Sequence, residues 1–285
     1  MDDVPGTLYV VGTPIGNLED ITYRALRVLR SVSVIACEDT RETRKLLQHF
    51  QIDTPTTSYH EHNKRRAGPA LIRRLLDGED VALVSDAGMP AISDPGEELV
   101  RAALEAGVPV VPVPGPTAFV TALVASGLPT GRFAFEGFLP HKGRERRRAL
   151  ERLKGEERTL VLYEAPHRLL ETLRDLLATL GDRRITAARE LTKIHEEYVR
   201  GTISELIDHF TRTAPRGEFV LVVQGAAAEP APAAAGAADP QVLAGEVSAL
   251  VAQGMDRKAA MKEVAERFGV SRKAVYEALL QAKGK

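Results

Sequence analysis

An α/β fold followed by a separate helical unit is what this sequence predicts, and three observations carry the prediction. Short apolar runs bounded by turn residues recur at residues 8–11, 32–36, 81–84, 108–113, 159–163 and 219–223, the pattern of buried strands. Amphipathic stretches, at 23–30, 98–105 and 168–180 for example, lie between them, so strand alternates with helix. Residues 226–240, almost entirely Ala, Pro and Gly, then separate this body from a last segment with helical spacing.

A chain of 285 residues accommodates two domains and a small appendage, each able to bury its own core. The first half reads as a mostly parallel sheet. Around residues 129–140 the pattern changes to small, proline-bearing and aromatic residues, and a basic helix candidate follows at 141–154. The expected division is therefore an α/β domain over 1–126, a second over 127–225, a linker over 226–240 and a helical unit over 241–285. In that last unit Met261, Val264, Ala265 and Phe268 share one helix face, Gly269 breaks the helix and Ser271 caps the next. Ala265, Gly269 and Val275 supply the small, turn and core characters of a helix-turn-helix, which serves equally for nucleic-acid contact or plain packing.

Composition narrows the classes. Cys37 is the only cysteine, so no internal disulfide forms, and the cytoplasm is the expected compartment. The first residues carry acids and a proline in place of a basic segment with an apolar run, and no later stretch reaches membrane-spanning length. No membrane association is expected. The net charge of −1 argues against a general nucleic-acid coat, yet basic residues cluster locally. Residues 63–74 hold Lys64, Arg65, Arg66, Arg73 and Arg74 without an acid, while 141–158 and 256–285 each carry eight basic residues against four acidic. Such surfaces face phosphate or merely water. His60 and His62 are the only close histidine pair, and with no further ligand at suitable spacing no metal is expected.

Nucleotide loops of the usual kind are missing from the sequence. No two glycines are separated by one residue, which removes G-x-G-x-x-G, and no G-x-x-x-x-G-K-[ST] occurs. Three other loops stand at strand ends, where an α/β sheet presents its ligand-facing edge. Gly12, Pro14 and Gly16 follow the first strand in a stiff turn. Asp86, Ala87 and Met89 follow the run at 81–84, and Asp94 further along reads as the cap of the next helix. Thr117 and Ala118, after a Pro-Gly-Pro turn, open a small-residue helix over 118–125 whose start offers N–H groups to a ligand. Three loops at strand ends are expected to converge on one cleft.

Together LYVVGTPIGNLEDIT, ACEDTRETRKLL, SDAGMPAISDPG, PVPGPTAFVTAL, FEGFLP, YEAPHRLLETL, ARELTKIHEE and GEFVLVVQG resemble the ribosomal RNA small-subunit methyltransferase I family, over residues 7–225. The resemblance implies a two-domain tetrapyrrole-methylase-like fold with S-adenosylmethionine (SAM) in the interdomain cleft, in a homodimer. It implies 2′-O-methylation of a decoding-centre cytidine in 16S rRNA within the small ribosomal subunit. Position by position, Gly12, Pro14 and Gly16 match the loop flanking SAM; Asp86, Ala87 and Met89 the methionine and ribose contacts; Thr117 and Ala118 the contact after the Pro-Gly turn. Tyr163 and Glu164 fall where the family covers the adenosine. Met89 stands where many relatives have Thr.

A ribose hydroxyl is a poor nucleophile, so a carboxylate or lysine within reach helps as general base, while alignment supplies much of the remaining acceleration. Glu38 and Asp39, with Arg41 to hold phosphate, and Glu190 with Lys193 are the catalytic candidates. Glu38, Asp39 and Arg41 read equally as a helix cap with a local ion pair. Two alternatives remain open: a methylase of the same fold acting on a tetrapyrrole or on protein (diphthine), and a ligand-sensing DNA-binding regulator read out through residues 241–285.

Overall fold

The computed structural model describes residues 4–227, 239–268 and 270–283, which divide into two compact units, one on each side of Gly225. The first unit contains two sheets of five strands. In one, β1 (Leu8–Val11), β2 (Val34–Cys37), β3 (Thr56–Ser58), β4 (Val81–Leu83) and β5 (Val110–Val113) run in the order β3-β2-β4-β1-β5, and every pair is parallel. The apolar strands β1, β2 and β4 are explained by burial on both faces. Ile35 and Cys37 join Val28, Leu29 and Leu47 on one side, beneath α1 (Tyr23–Ser31) and α2 (Thr40–His49). Val34 and Ala36 point the other way, to Leu71, Leu75 and Leu99 of α3 (Lys64–Leu76) and α4 (Glu97–Glu105). Local caps fix the helix starts: Thr22 accepts from the Ala25 N–H at α1, and Asp39 from the Arg41 N–H at α2.

That strand order positions the site. β1 lies between β4 and β5, so the loops leaving the carboxyl ends of these three strands are neighbours although they are far apart in sequence.

The second sheet comprises β6 (Phe133–Phe138), β7 (Thr159–Glu164), β8 (Arg184–Arg189), β9 (Glu197–Thr202) and β10 (Phe219–Val223), ordered β6-β7-β10-β8-β9. Only β6 and β7 are parallel; the other pairs are antiparallel. A bulge between Phe135 and Gly137 interrupts β6, and Gly137 adopts the left-handed conformation, at φ 62°, that it requires. On one face Leu160, Leu162, Leu221 and Phe219 pack with Leu173, Leu176 and Phe210 from α7 (Leu169–Leu180) and α8 (Ile203–Arg212), beside α6 (Gly143–Leu153). The opposite face is covered by α5 (Ala118–Ala125), whose Ala122 and Leu123 meet Val161, Ala188 and Val222. α5 thus hangs from the first sheet by sequence and packs on the second.

The second unit is a three-helix bundle: α9 (Pro240–Ala252), α10 (Arg257–Phe268) and α11 (Arg272–Lys283) around Leu243, Val247, Val264, Val275 and Leu279. Ala265 and Val275 are buried as the helix-turn-helix reading requires, and the Ser271 hydroxyl accepts from the Ala274 N–H. Gly269 and most of the Ala/Pro-rich segment, residues 228–238, lie outside the described residues. Pro240, read as the end of the linker, is the first residue of α9, a helix the sequence did not announce.

Candidate active site

The loops after β1, β4 and β5 touch one another. Thr13 and Gly88 exchange backbone hydrogen bonds of 2.9 and 3.0 Å, and the Thr13 hydroxyl donates to the Ser85 carbonyl at 3.2 Å. A β-carbon on Gly12 would lie 2.8 Å from the Gly115 Cα and 2.7 Å from the Met89 sulfur, so only glycine lets the loops close to this distance. Gly16 reaches the other side of the cleft: a β-carbon there would stand 2.5 Å from the Lys193 Cγ, and the Asn17 N–H donates to the Thr192 hydroxyl at 3.0 Å.

Between these loops and the second sheet lies a cavity of about 310 Å³. Asp86, Ala87, Met89, Thr117 and Ala118 line it from the first sheet's loops, with Glu38 from the end of β2. Tyr163, Glu164, Glu190 and Lys193 line it from the opposite side. Gly12, Pro14 and Gly16 are not in its wall; Gly12 and Gly16 set the spacing of the loops that are.

Four of the five non-glycine residues with left-handed backbone among the described residues fall on two loops beside this cavity: Ala91 and Ser93 after β4, Glu190 and Thr192 after β8. Strain of this kind persists where packing enforces it, and it concentrates at functional sites.

The cavity is acidic. Asp94, expected to cap α4, instead lines the wall; the cap position of α4 is Gly96, whose φ of 156° makes the turn, and no side chain caps the helix. Burial, then the nearby Glu38, Asp86 and Glu218 carboxylates, push the Asp94 pKa up to about 6. Withdrawal from solvent and the Asp86 charge likewise raise Glu38, with His60 opposing. Asp86 is also raised by withdrawal from solvent, although the Asp39 N–H donates to its Oδ1 at 3.1 Å. The one lysine in the wall, Lys193, is paired with Glu190 at 3.0 Å. Burial pushes Tyr163 up to about 12, and its ring packs against Phe135 and Phe138 at 5.1 and 5.5 Å.

Three of the named candidates are occupied by their neighbours. Asp39 caps α2 and forms a two-point ion pair with Arg41, which holds its carboxyl down at about 2. Arg41, with its side chain 83% exposed, does not line the cavity and is engaged by that pair. Glu164 is buried: its carboxylate accepts from the Thr172 hydroxyl and the Ala165 N–H and lies 3.6 Å from Arg168. Arg146, also buried, binds Asp175 at 2.7 Å and Thr172 at 2.9 Å, and both arginines bond the Leu139–Pro140 carbonyls that follow β6. Glu164 lines the cavity, but its carboxylate is engaged in this internal network.

Sequence reasoning missed Asp94 as a wall residue, together with Ile15, Ile92, Phe138, Leu191 and the Glu218-Phe219-Val220 run. Glu218 carried a usable signal, an acid directly before an all-apolar strand. Chemically, the cavity combines carboxylates able to accept from hydroxyl and ammonium groups with apolar surface from Ile15, Ile92, Phe138 and Leu191. A cationic ligand with a flat apolar part fits this set.

The family model for tetrapyrrole (corrin/porphyrin) methylases matches residues 7–207. The ribosomal RNA small subunit methyltransferase I of Synechocystis sp. is 51% identical, over 97% of this chain and 98% of that protein. The protein of the same name from Pseudomonas aeruginosa is 50% identical over 98% and 99%. Among solved structures, a diphthine synthase superposes with a TM-score of 0.62 at 13% identity, covering 76% of this chain and 89% of that one. A Thermus thermophilus uroporphyrin-III C-methyltransferase complexed with S-adenyl homocysteine gives 0.55 at 24% identity, covering 77% and 97%. At these identities the structural likeness speaks for the fold alone.

Proposed function

The chain belongs to the ribosomal RNA small subunit methyltransferase I family of the tetrapyrrole (corrin/porphyrin) methylases, and from that premise we propose that it uses SAM to methylate the ribose 2′-oxygen of a decoding-centre cytidine in 16S rRNA of the small ribosomal subunit. The observation that carries the reading is the acidic, partly apolar cavity, complementary to a ligand bearing a sulfonium, an ammonium and an adenine. When bound, SAM supplies an electrophilic methyl group on a sulfonium that departs as a neutral thioether.

The chain's own residues do the rest. Asp86, Asp94 and Glu218 would hold the cofactor by accepting hydrogen bonds from its hydroxyl and ammonium groups. Ile15, Ile92, Phe138 and Leu191 exclude water from its apolar part, and the Tyr163 ring closes the same side. Glu38 takes the 2′-hydroxyl proton: its raised pKa makes it a stronger base than an ordinary carboxylate. Glu190 and Lys193 hold the facing loop as an ion pair.

The proposal extends to a division of the methylase body near residue 126, a homodimer and a cytoplasmic location with the ribosomal substrate. Val120 and Val124, 43% and 69% exposed on α5, offer an apolar strip for self-association. Among the described residues no helix is long and apolar enough to cross a membrane.

The test is to titrate the protein with SAM by calorimetry and incubate it with labelled SAM and, separately, small subunits, naked RNA and duplex DNA. Saturable binding with label on small-subunit RNA supports the reading. No SAM binding, or label on protein alone, rejects it.

A further inference from the structure

A shallower bay of about 490 Å³ adjoins the cofactor cavity and shares Glu38 and Asp86 with it. Its other walls are Asp39, Thr40, Ser58, His60 and His62, so every lining side chain is polar. The two histidines come from a turn that is rigidly built. The Asn63 Oδ1 accepts from the His60 N–H at 2.8 Å, its Nδ2 donates to the Ser58 carbonyl and hydroxyl at 3.0 Å, and the Lys64 N–H donates to the His60 carbonyl at 2.9 Å.

Within that turn the His60 imidazole is unsatisfied. Its Nδ1 is buried without a hydrogen-bond partner among the described residues, and no described residue bonds Nε2. The turn is fixed through its main chain, and the half-buried imidazole it carries into the wall of the bay has hydrogen-bonding capacity left for a ligand.

Charge around the bay is graded. Glu38, Asp39 and Asp86 make the floor acidic, unsuitable for phosphate but suitable for hydroxyl donors. The first turn of α3, directly after the His60–Asn63 turn, is cationic. There Lys64 is paired with Glu61 and Glu98 at 2.8 and 2.7 Å, whereas Arg65 and Arg66 are exposed and form no ion pair among the described residues. The helix start itself is closed, since the His60 carbonyl accepts from the Lys64 N–H and the Asn63 carbonyl from the Arg66 and Ala67 N–H groups, so it is the two arginine side chains that remain available to an anion.

We propose that this bay is the subsite for the acceptor nucleotide: its sugar lies on the acidic floor with His60 hydrogen-bonded to it, and its flanking phosphates lie on Arg65 and Arg66. The inference rests on the rRNA methyltransferase reading above. Glu38, common to both cavities, stands between sugar and cofactor, where a proton released from the hydroxyl has a carboxylate to receive it. His60 is a substrate-binding residue here, and Asn63 positions it.

The test uses the full chain with small subunits prepared from cells lacking the modification. His60→Ala is expected to lower kcat/KM for subunits by about tenfold or more, the value of one lost hydrogen bond to substrate, with the SAM Kd unchanged within about twofold. His60→Gln, which keeps a donor and an acceptor, is expected to recover part of the loss. Subunit binding measured with S-adenosylhomocysteine present weakens for Arg65→Ala/Arg66→Ala, with a shallower dependence on salt. If His60→Ala does not fold, the Gln variant and the exposed arginine pair still decide. Wild-type kcat/KM in the His60 variants together with wild-type subunit binding in the arginine pair overturns the bay assignment. A wild-type protein that labels no subunit RNA fails the rRNA methyltransferase reading instead.

Discussion

Gly12 and Gly115 meet backbone to backbone at the carboxyl ends of adjacent parallel strands, so close that a β-carbon on either would lie within 2.9 Å of the other's main chain. Neither has an adjustable side chain, and relief requires a loop to move. Gly12→Ala is therefore expected to destabilise the protein by about 1–3 kcal/mol, as overpacking does, and to weaken SAM binding at least tenfold by displacing Met89 and the Asp86 loop. Urea denaturation and calorimetric titration measure the two effects separately.

Asp94 gives the cavity a pH dependence. Its pKa of about 6 in the folded chain exceeds the ordinary 3.8, so between these values the folded state binds the proton that the unfolded state releases. The carboxylate's burden on stability is therefore present above about pH 6 and is relieved as pH falls towards 4. Asp94→Asn is expected to raise the melting temperature of the ligand-free protein at pH 7.5, with the gain shrinking on acidification. SAM affinity of the wild type weakens as pH drops through about 6, because a positive ligand loses a negative partner, and the variant lacks this step. Calorimetry across pH 5–8 reads both.

Glu38 and Asp39 are adjacent in sequence and differ in role. Glu38→Gln is expected to reduce single-turnover methyl transfer by about 10²–10⁴-fold with little change in SAM affinity, the range for loss of a general base. Arg41→Ala, which breaks only an exposed ion pair, is expected to leave that rate within about threefold of wild type and to lower the melting temperature slightly.

Glu164 serves the frame. Removing its carboxylate leaves Arg168 buried without its charge partner, and Glu164→Ala is expected to lose about 3–5 kcal/mol in urea denaturation. The variant's SAM affinity, measured at low temperature where it remains folded, is expected to stay within about threefold of wild type.

Where hydrophobic runs were short and bounded by turns, as at β1, β4 and β10, the sequence was enough to place the strand, because burial on both faces leaves only apolar side chains there. β8 and β9 escaped notice because Arg184, Arg189, Glu197 and Arg200 decorate them; β9 is an edge strand with no buried residue. β6 was hidden by Gly137, which breaks its alternation at a bulge. In the site, the loops after β1, β4 and β5 were legible from their glycines, prolines and acids. Asp94 was misread because Asp before Pro is also the pattern of a helix start, and only the backbone at Gly96 reveals that the turn is made elsewhere. Glu218, Phe219 and Val220 belong to the cavity through the tertiary approach of β10, which no local pattern records.

The most direct test is nucleoside analysis of small-subunit RNA after one turnover with isotopically labelled SAM. The account predicts label in 2′-O-methylcytidine, formed by the wild type and lost with Glu38→Gln. Label on a base, or equal label from that variant, would contradict it.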